Sequence, residues 1–177
     1  PYFRAAVHLC RGDCDLLAGR FRAATAALAE AERVLRDSCT GVAWELDSTR
    51  HWYFCCCCVL GEWAELSARC PPLLQDARDR GDLFAEMNYL TGPMAHVRLA
   101  ADDPGRAWDE LHATAARWSQ QGFHLQHIWV LESSALISLY RGDVGTAGEC
   151  LRRMEPFLRR ARFWGVHVIR AGFRQLR

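Results

Sequence analysis

Apolar residues recur along this chain every three or four positions. Ala24, Leu28, Ala31 and Leu35 form one such stripe, Ala107, Leu111, Ala115 and Trp118 a second, and Ala147, Leu151, Met154 and Leu158 a third. That period is the amphipathic α-helix signature, with charges such as Arg106, Asp109, Glu110 and Arg117 on the other side. No stretch alternates with the period of two that a half-buried strand requires. The pattern predicts helices near 2–18, 21–37, 42–60, 62–80, 82–101, 104–121, 124–141 and 144–163, with a last one beginning near 165.

Turn residues order these helices. Gly19, Gly61, Asp102 and Gly142 follow one another at intervals of 42, 41 and 40. Ala24, Leu66, Ala107 and Ala147 stand five positions after each marker, and Leu28, Cys70, Leu111 and Leu151 stand nine after. A second ladder, Gly41, Gly81, Gly122 and Gly165, runs at intervals of 40, 41 and 43 about half a period away. A helix that reverses sharply ends in a left-handed residue, which glycine adopts without steric cost. The first ladder thus joins two helices of a pair, and the second joins successive pairs. One pair cannot bury its apolar face alone, whereas stacked pairs can. The expected fold is all-α: a tetratricopeptide-like, right-handed superhelical array of about four antiparallel helix pairs with a period of about 41. A single domain over 1–177 is expected, with repeats near 1–39, 40–80, 81–121 and 122–163 and a partial last helix over 164–177.

Prolines test this frame. Pro104 falls in a first helical turn, where its missing N–H costs nothing. Pro71, Pro72, Pro93 and Pro156 fall inside expected helices and should split or kink them.

Composition narrows the class. Half of the residues are apolar, 24% are charged and the formal net charge is +1, which excludes a disordered chain. No apolar run approaches the ~20 residues of a membrane span, and Arg4, Arg11, Asp13 and Asp15 interrupt the region a signal peptide would need, so a cytoplasmic location is expected. The chain opens at Pro1 without a Met and stops at Arg177 inside an expected helix, as a fragment of a longer array would. All 22 basic residues are Arg, a bias that fits a GC-rich genome. Nine Cys would suit a disulfide scaffold only in a small secreted chain, so most are expected to be buried thiols.

Several stretches carry a resemblance: Gly41-Val-Ala-Trp44-Glu45-Leu46, Ala77-Arg-Asp-Arg-Gly81-Asp82-Leu83, Leu99-Ala-Ala-Asp-Asp103-Pro104, the run from Trp118 to His127, and Leu139-Tyr-Arg-Gly-Asp143. Over most of its length the chain resembles the helical C-terminal region of large bacterial serine/threonine kinases that also carry an ATPase module, of the myxobacterial and planctomycete type. The Trp44-Glu45 and Trp118-to-His127 segments are the most distinctive. The resemblance implies a region downstream of the kinase and nucleotide-binding domains that senses or scaffolds. The catalytic parts are not in this chain: it has no Lys, hence neither a kinase nor a P-loop lysine, and no His-Arg-Asp or Asp-Phe-Gly triplet. No enzymatic activity and no cofactor are expected.

Candidate chemistry is sparse. Cys55 and Cys58 have the two-residue gap of structural zinc sites. A second pair, His124 with His127 or Cys10 with Cys14, would have to converge on them. Apolar Phe54, Val59 and Leu60 flank the run, so Cys acting as a small hydrophobe is the better reading and no metal is expected. His124 and His127 have no nucleophile or ordering carboxylate at a readable spacing, and Glu45 and Glu132 are lone acids. Trp63, Trp108 and Trp118 fit packed faces of second helices. Trp44, Trp52 and Trp129 fall on first helices, which line the concave surface of such arrays, where large amphipathic side chains anchor peptides. With Glu45, Arg50, Arg98 and His127 they make the candidate partner-binding face. Arg152, Arg153, Arg159, Arg160, Arg162, Arg170, Arg174 and Arg177, interleaved with Phe157, Phe163 and Trp164, form a basic end. That end would suit phosphate or an acidic partner, though contact with a further repeat explains it equally. The expected function is a regulatory module that binds a peptide or partner domain, in cis with kinase or ATPase domains. The alternatives are a small-molecule or nucleic-acid sensor and a structural spacer.

Overall fold

The structure, a computed structural model, describes residues 1–122 and 124–160. Every element among the described residues is helical: α1 (Tyr2–Leu17), α2 (Phe21–Ser38), α3 (Ala43–Leu60), α4 (Trp63–Asp79), α5 (Leu83–Leu90), α6 (Pro93–Ala100), α7 (Pro104–Ala115), α8 (Leu125–Tyr140) and α9 (Val144–Arg160). None of them is long and apolar enough to cross a membrane. Gly165, the helix expected near it and the basic end beyond Arg160 lie outside the described residues.

One local device closes helix after helix. At the end of α1, the Gly19 N–H donates to the Leu16 carbonyl and the Arg20 N–H to the Asp15 carbonyl, at 2.9 and 2.8 Å. The same two bonds recur at Gly61–Glu62, Gly81–Asp82, Asp102–Asp103 and Gly142–Asp143. This pair of hydrogen bonds satisfies carbonyls orphaned at a helix end and requires a left-handed residue at its first donor. Asp102 meets that requirement at φ 55°, the one non-glycine with positive φ among the described residues, and the Tyr140 hydroxyl donates to its Oδ1 at 2.8 Å. The next residue then often starts the following helix: Asp82, Asp103 and Asp143 accept the N–H of Ala85, Arg106 and Thr146 at 3.0, 3.1 and 2.9 Å. Two bonds to the carboxylate's own first turn, from Thr146 foremost, hold Asp143 below the usual range.

The chain divides into two compact units, Pro1–Leu66 and the residues from Ser67 onward. In the first, α1 packs on α2 and α2 on α3. Leu16, Ala24, Leu28 and Cys56 form one core cluster and Ala5, Val34 and Leu35 another. Close approach of α1 and α2 depends on Gly12, which is buried against Leu28: a Cβ there would lie 2.5 Å from Leu28 Cγ.

In the second unit, α7 packs against α5 and α6, α8 against α6 and α7, and α9 against α8. Ile128, Leu131, Ala135, Ala147, Cys150, Leu151, Met154 and Leu158 build the α8–α9 core. The helix expected over 82–101 is split in two, because Gly92 takes φ 104° and Pro93 begins α6. Pro71, Pro72 and Pro156, in contrast, lie within α4 and α9, which continue through them. The helix expected over 104–121 stops at Ala115, leaving Trp118 in the following loop.

Candidate partner-binding face

Trp44, Glu45, Arg50 and Trp52 all lie on α3 in the first unit, at its opening and along its middle. Trp44 is 63% exposed. Glu45 accepts a hydrogen bond from the Tyr2 hydroxyl at 3.0 Å, which holds the Tyr2 phenol above its ordinary range. Both residues line a shallow recess of about 390 Å³ with Cys39, Gly41 and Val42. Arg50 is turned inward: its guanidinium lies 3.0 Å from Glu32 and 3.6 Å from Asp47, with 12% of the side chain exposed. A buried pair of this kind holds α2 to α3 and offers little to a partner. Trp52 is half-buried on the Leu16–Leu28 cluster, its ring edge-on to His51 with centroids 4.8 Å apart.

Arg98, His127 and Trp129 belong to the second unit. Arg98 forks onto Glu110, Nε at 3.1 Å and Nη2 at 3.3 Å. Glu110 also meets Arg106 at 3.0 Å and Arg78 at 3.7 Å. Burial works to raise the Glu110 carboxyl, but the Arg98 and Arg106 hydrogen bonds outweigh it and hold the group below its ordinary range. Beside it, buried Glu86 accepts from Arg78 at 3.0 Å, from Arg117 at 2.9 Å and from the Thr114 hydroxyl at 3.1 Å. Arg98 is therefore part of an internal ion network that ties α4, α5, α6 and α7 together.

His127 has a similar fate. Its Nδ1 accepts the His124 backbone N–H at 3.1 Å, so in the neutral ring Nε2 carries the proton and donates to the Ser119 carbonyl, also at 3.1 Å. His124 in turn accepts from the Trp118 indole N–H through Nδ1, at 3.1 Å. The distinctive Trp118-to-His127 segment thus fastens the α7–α8 loop to the start of α8. Trp129 is half-buried on the α8–α9 core. Of the seven residues expected on the face, Trp44 is exposed and Glu45 lines the recess beside it. Trp63, expected in a core, opens α4 at 44% exposure.

One arrangement has catalytic shape. Ser134 Oγ lies 3.2 Å from His112 Nε2, but Ser134 is 2% exposed and its hydroxyl donates to the Val130 carbonyl at 2.7 Å. His112 Nδ1 meets the Trp108 carbonyl at 2.9 Å, not a carboxylate, and its ring stacks on Trp108. Among the described residues, no three His, Cys, Asp or Glu side chains converge as a metal would need. The four-cysteine run separates by burial: Cys56 and Cys57 are in the core and Cys55 and Cys58 partly exposed, and none of the nine cysteines is in a disulfide. Burial, with Cys57 and Asp13 adding to it, pushes the Cys56 thiol up to about 12.

Sequence reasoning missed an apolar stripe on α1. Phe3, Val7 and Leu17 are 85, 67 and 49% exposed, and Cys10 and Cys14 between them are exposed too. Their 4-3-4-3 spacing is legible, since it is the seam one helix offers to another.

No family model, curated protein or solved structure matches this chain. The likeness to the helical regions of bacterial kinases accordingly rests on the quoted residues alone.

Proposed function

We propose that the chain is a non-catalytic, cytoplasmic interaction module built as a tetratricopeptide-like array of antiparallel helix pairs, and that it binds a peptide or partner domain for a bacterial signalling kinase that also carries an ATPase. The observation that carries this reading is the helix cap repeated at Gly19, Gly61, Gly81, Asp102 and Gly142, each closing one helix and releasing the chain into the next. Repetition of one supersecondary unit is the economy of a binding scaffold, in which neighbours bury each other's faces and the remaining surface is free for recognition. The α1 stripe is the kind of face that stacked pairs cover in one another.

Recognition centres on the head of α3. Trp44 supplies a rigid apolar anchor, and Glu45, with the Tyr2 hydroxyl on it, supplies an acceptor on the rim of the recess. The fitting ligand is an extended peptide with an apolar residue next to a basic or amide-bearing one. Arg50, Arg98 and His127 act as fold-holding residues.

The test is selection from a displayed peptide library on the 177-residue chain, followed by affinity measurement with Trp44→Ala. Loss of the Trp44 anchor, exposed in the free chain and covered by the peptide, should weaken selected peptides by at least about tenfold, roughly 1.4 kcal/mol. Peptides indifferent to Trp44 would refute the site. The rival sensor of phosphate or nucleic acid predicts instead binding that collapses as salt rises.

A further inference from the structure

The mixed polar and apolar character of α3 puts chemistry on one of its faces. Asp47, His51 and Cys55 follow one another at four-residue steps, which align them in a row along a helix. His51 Nε2 lies 3.6 Å from Cys55 Sγ, within reach of a hydrogen bond to sulfur. The imidazole is 2% exposed and has the Trp52 ring against it at 4.8 Å, so its position is fixed by packing. Cys55 is partly exposed. Charged groups near this row include Asp47, itself 2% exposed, Arg50 at 3.6 Å from Asp47, and Glu32 of α2 at 3.0 Å from Arg50.

We propose that Cys55 is a reactive thiol that takes up small disulfides by exchange, with His51 receiving its proton. The thiolate is the nucleophile in such exchange, and a cysteine becomes reactive where a base or cation meets it at a partly open position. The Cys55 S–H proton passes to His51 Nε2. The Cys55 sulfur then attacks one sulfur of the disulfide, the S–S bond breaks, and the departing thiolate carries away the electron pair and takes the proton from His51. The products are a mixed disulfide on Cys55 and one free small thiol. Nothing else is oxidised or reduced.

The neighbouring thiols show why the position matters. Cys56 and Cys57 are buried and inaccessible, and the Cys56 thiol is pushed up to about 12, which makes it inert as a nucleophile. Cys10 and Cys14 are more exposed than Cys55 and serve as internal references for an accessible thiol. A group added to Cys55 stands on the helix that carries Trp44 and Trp52. The assignment is independent of the proposed peptide binding.

The experiment treats the full 177-residue chain with dithiodipyridine and resolves the modified cysteines by peptide mass spectrometry. At about pH 6 Cys55 should react about tenfold faster than Cys10 or Cys14, and the ratio of Cys55 to Cys10 rates should rise as pH falls from about 8 to about 6. His51→Gln should remove that excess and leave the Cys10 rate where it was, while Cys55→Ser should abolish the fast phase. A Cys55 rate no greater than that of Cys10 at about pH 6 in the unaltered protein overturns the assignment. That comparison needs no variant, so it decides the matter even if His51→Gln fails to fold.

Discussion

Gly12→Ala separates two effects that usually travel together. In the interior of α1, alanine should help by about 1 kcal/mol, the helix-propensity difference from glycine. Against this stands the geometry of α1 on α2. The new Cβ would lie 2.5 Å from Leu28 Cγ, 2.7 Å from Cδ2 and 3.4 Å from Cδ1, so Leu28 or its helix must retreat by about 1 Å. Leu28 cannot rotate freely away, because it is fully buried among Leu16, Ala24 and Cys56. Overpacking of this kind costs roughly 1–3 kcal/mol, and the backbone shift takes it toward the upper end. The net expectation is a loss of about 1–2 kcal/mol, read from urea unfolding followed by far-ultraviolet circular dichroism. Leu28→Ala alone should cost about 2–5 kcal/mol through its cavity. In the double variant the added methyl occupies part of that cavity, so the two losses should fall short of additivity by about 1 kcal/mol. A Gly12→Ala protein as stable as the parent would refute the reasoning, since propensity would then have prevailed and the helices could not be as close as described.

The remaining predictions concern single groups. Asp13 has one carboxylate oxygen buried without a hydrogen-bond partner, and burial raises the group to about 6. Against an unfolded value of about 3.9, the folded state holds the proton more tightly, so stability is fully present below about pH 4 and declines as pH rises through about 6. Asp13→Asn should be about 1–2 kcal/mol more stable than the parent at pH 8, after allowance for solvent at the other oxygen, and the gain should vanish near pH 4; a pH-independent difference would sink the argument. Gly142 has φ 77° with open space around its Cα, so Gly142→Ala should lose about 1–2 kcal/mol from backbone strain alone. Gly148→Ala, in α9 with equally open space and no positive φ, should instead gain about 0.5–1 kcal/mol, and thermal unfolding that ranks the pair the other way would contradict the αL assignment.

The helix order was legible because a helix cap is a short-range demand. Each described marker of the two ladders takes positive φ, including Asp102, which stands in line with glycines at the spacing of the repeat. Events that depend on neighbours further along the chain were not legible. Pro93 divides a helix because Thr91 is already extended and Gly92 turns left-handed before it, whereas Pro71 follows Cys70 in a helix that continues. A proline alone does not distinguish the two cases. Gly12 reads as an unremarkable residue in a helical stretch until Leu28 is placed over it.

The residues of the candidate face divide in an instructive way. Its charged and imidazole members are polar residues on helices expected to face a groove, yet polarity also marks a residue that another helix must satisfy. Arg50 finds Glu32 on α2, Arg98 finds Glu110 on α7, and His127 finds Ser119 in the preceding loop. Each partner lies 8 to 18 positions earlier or later, a separation fixed by how helices dock and invisible to a stripe drawn on one helix. The aromatic members split on a different principle. Trp52 and Trp129 sit mid-helix, where a ring has neighbours along its whole length, and both are half-buried. Trp44 occupies the first turn of α3, where the helix has only begun to pack, and it is 63% exposed. Among these three rings, the one in a first turn, directly after a left-handed link, is thus more open than the two at mid-helix, and it is the better starting point for the recognition proposed above, whatever the charge beside it.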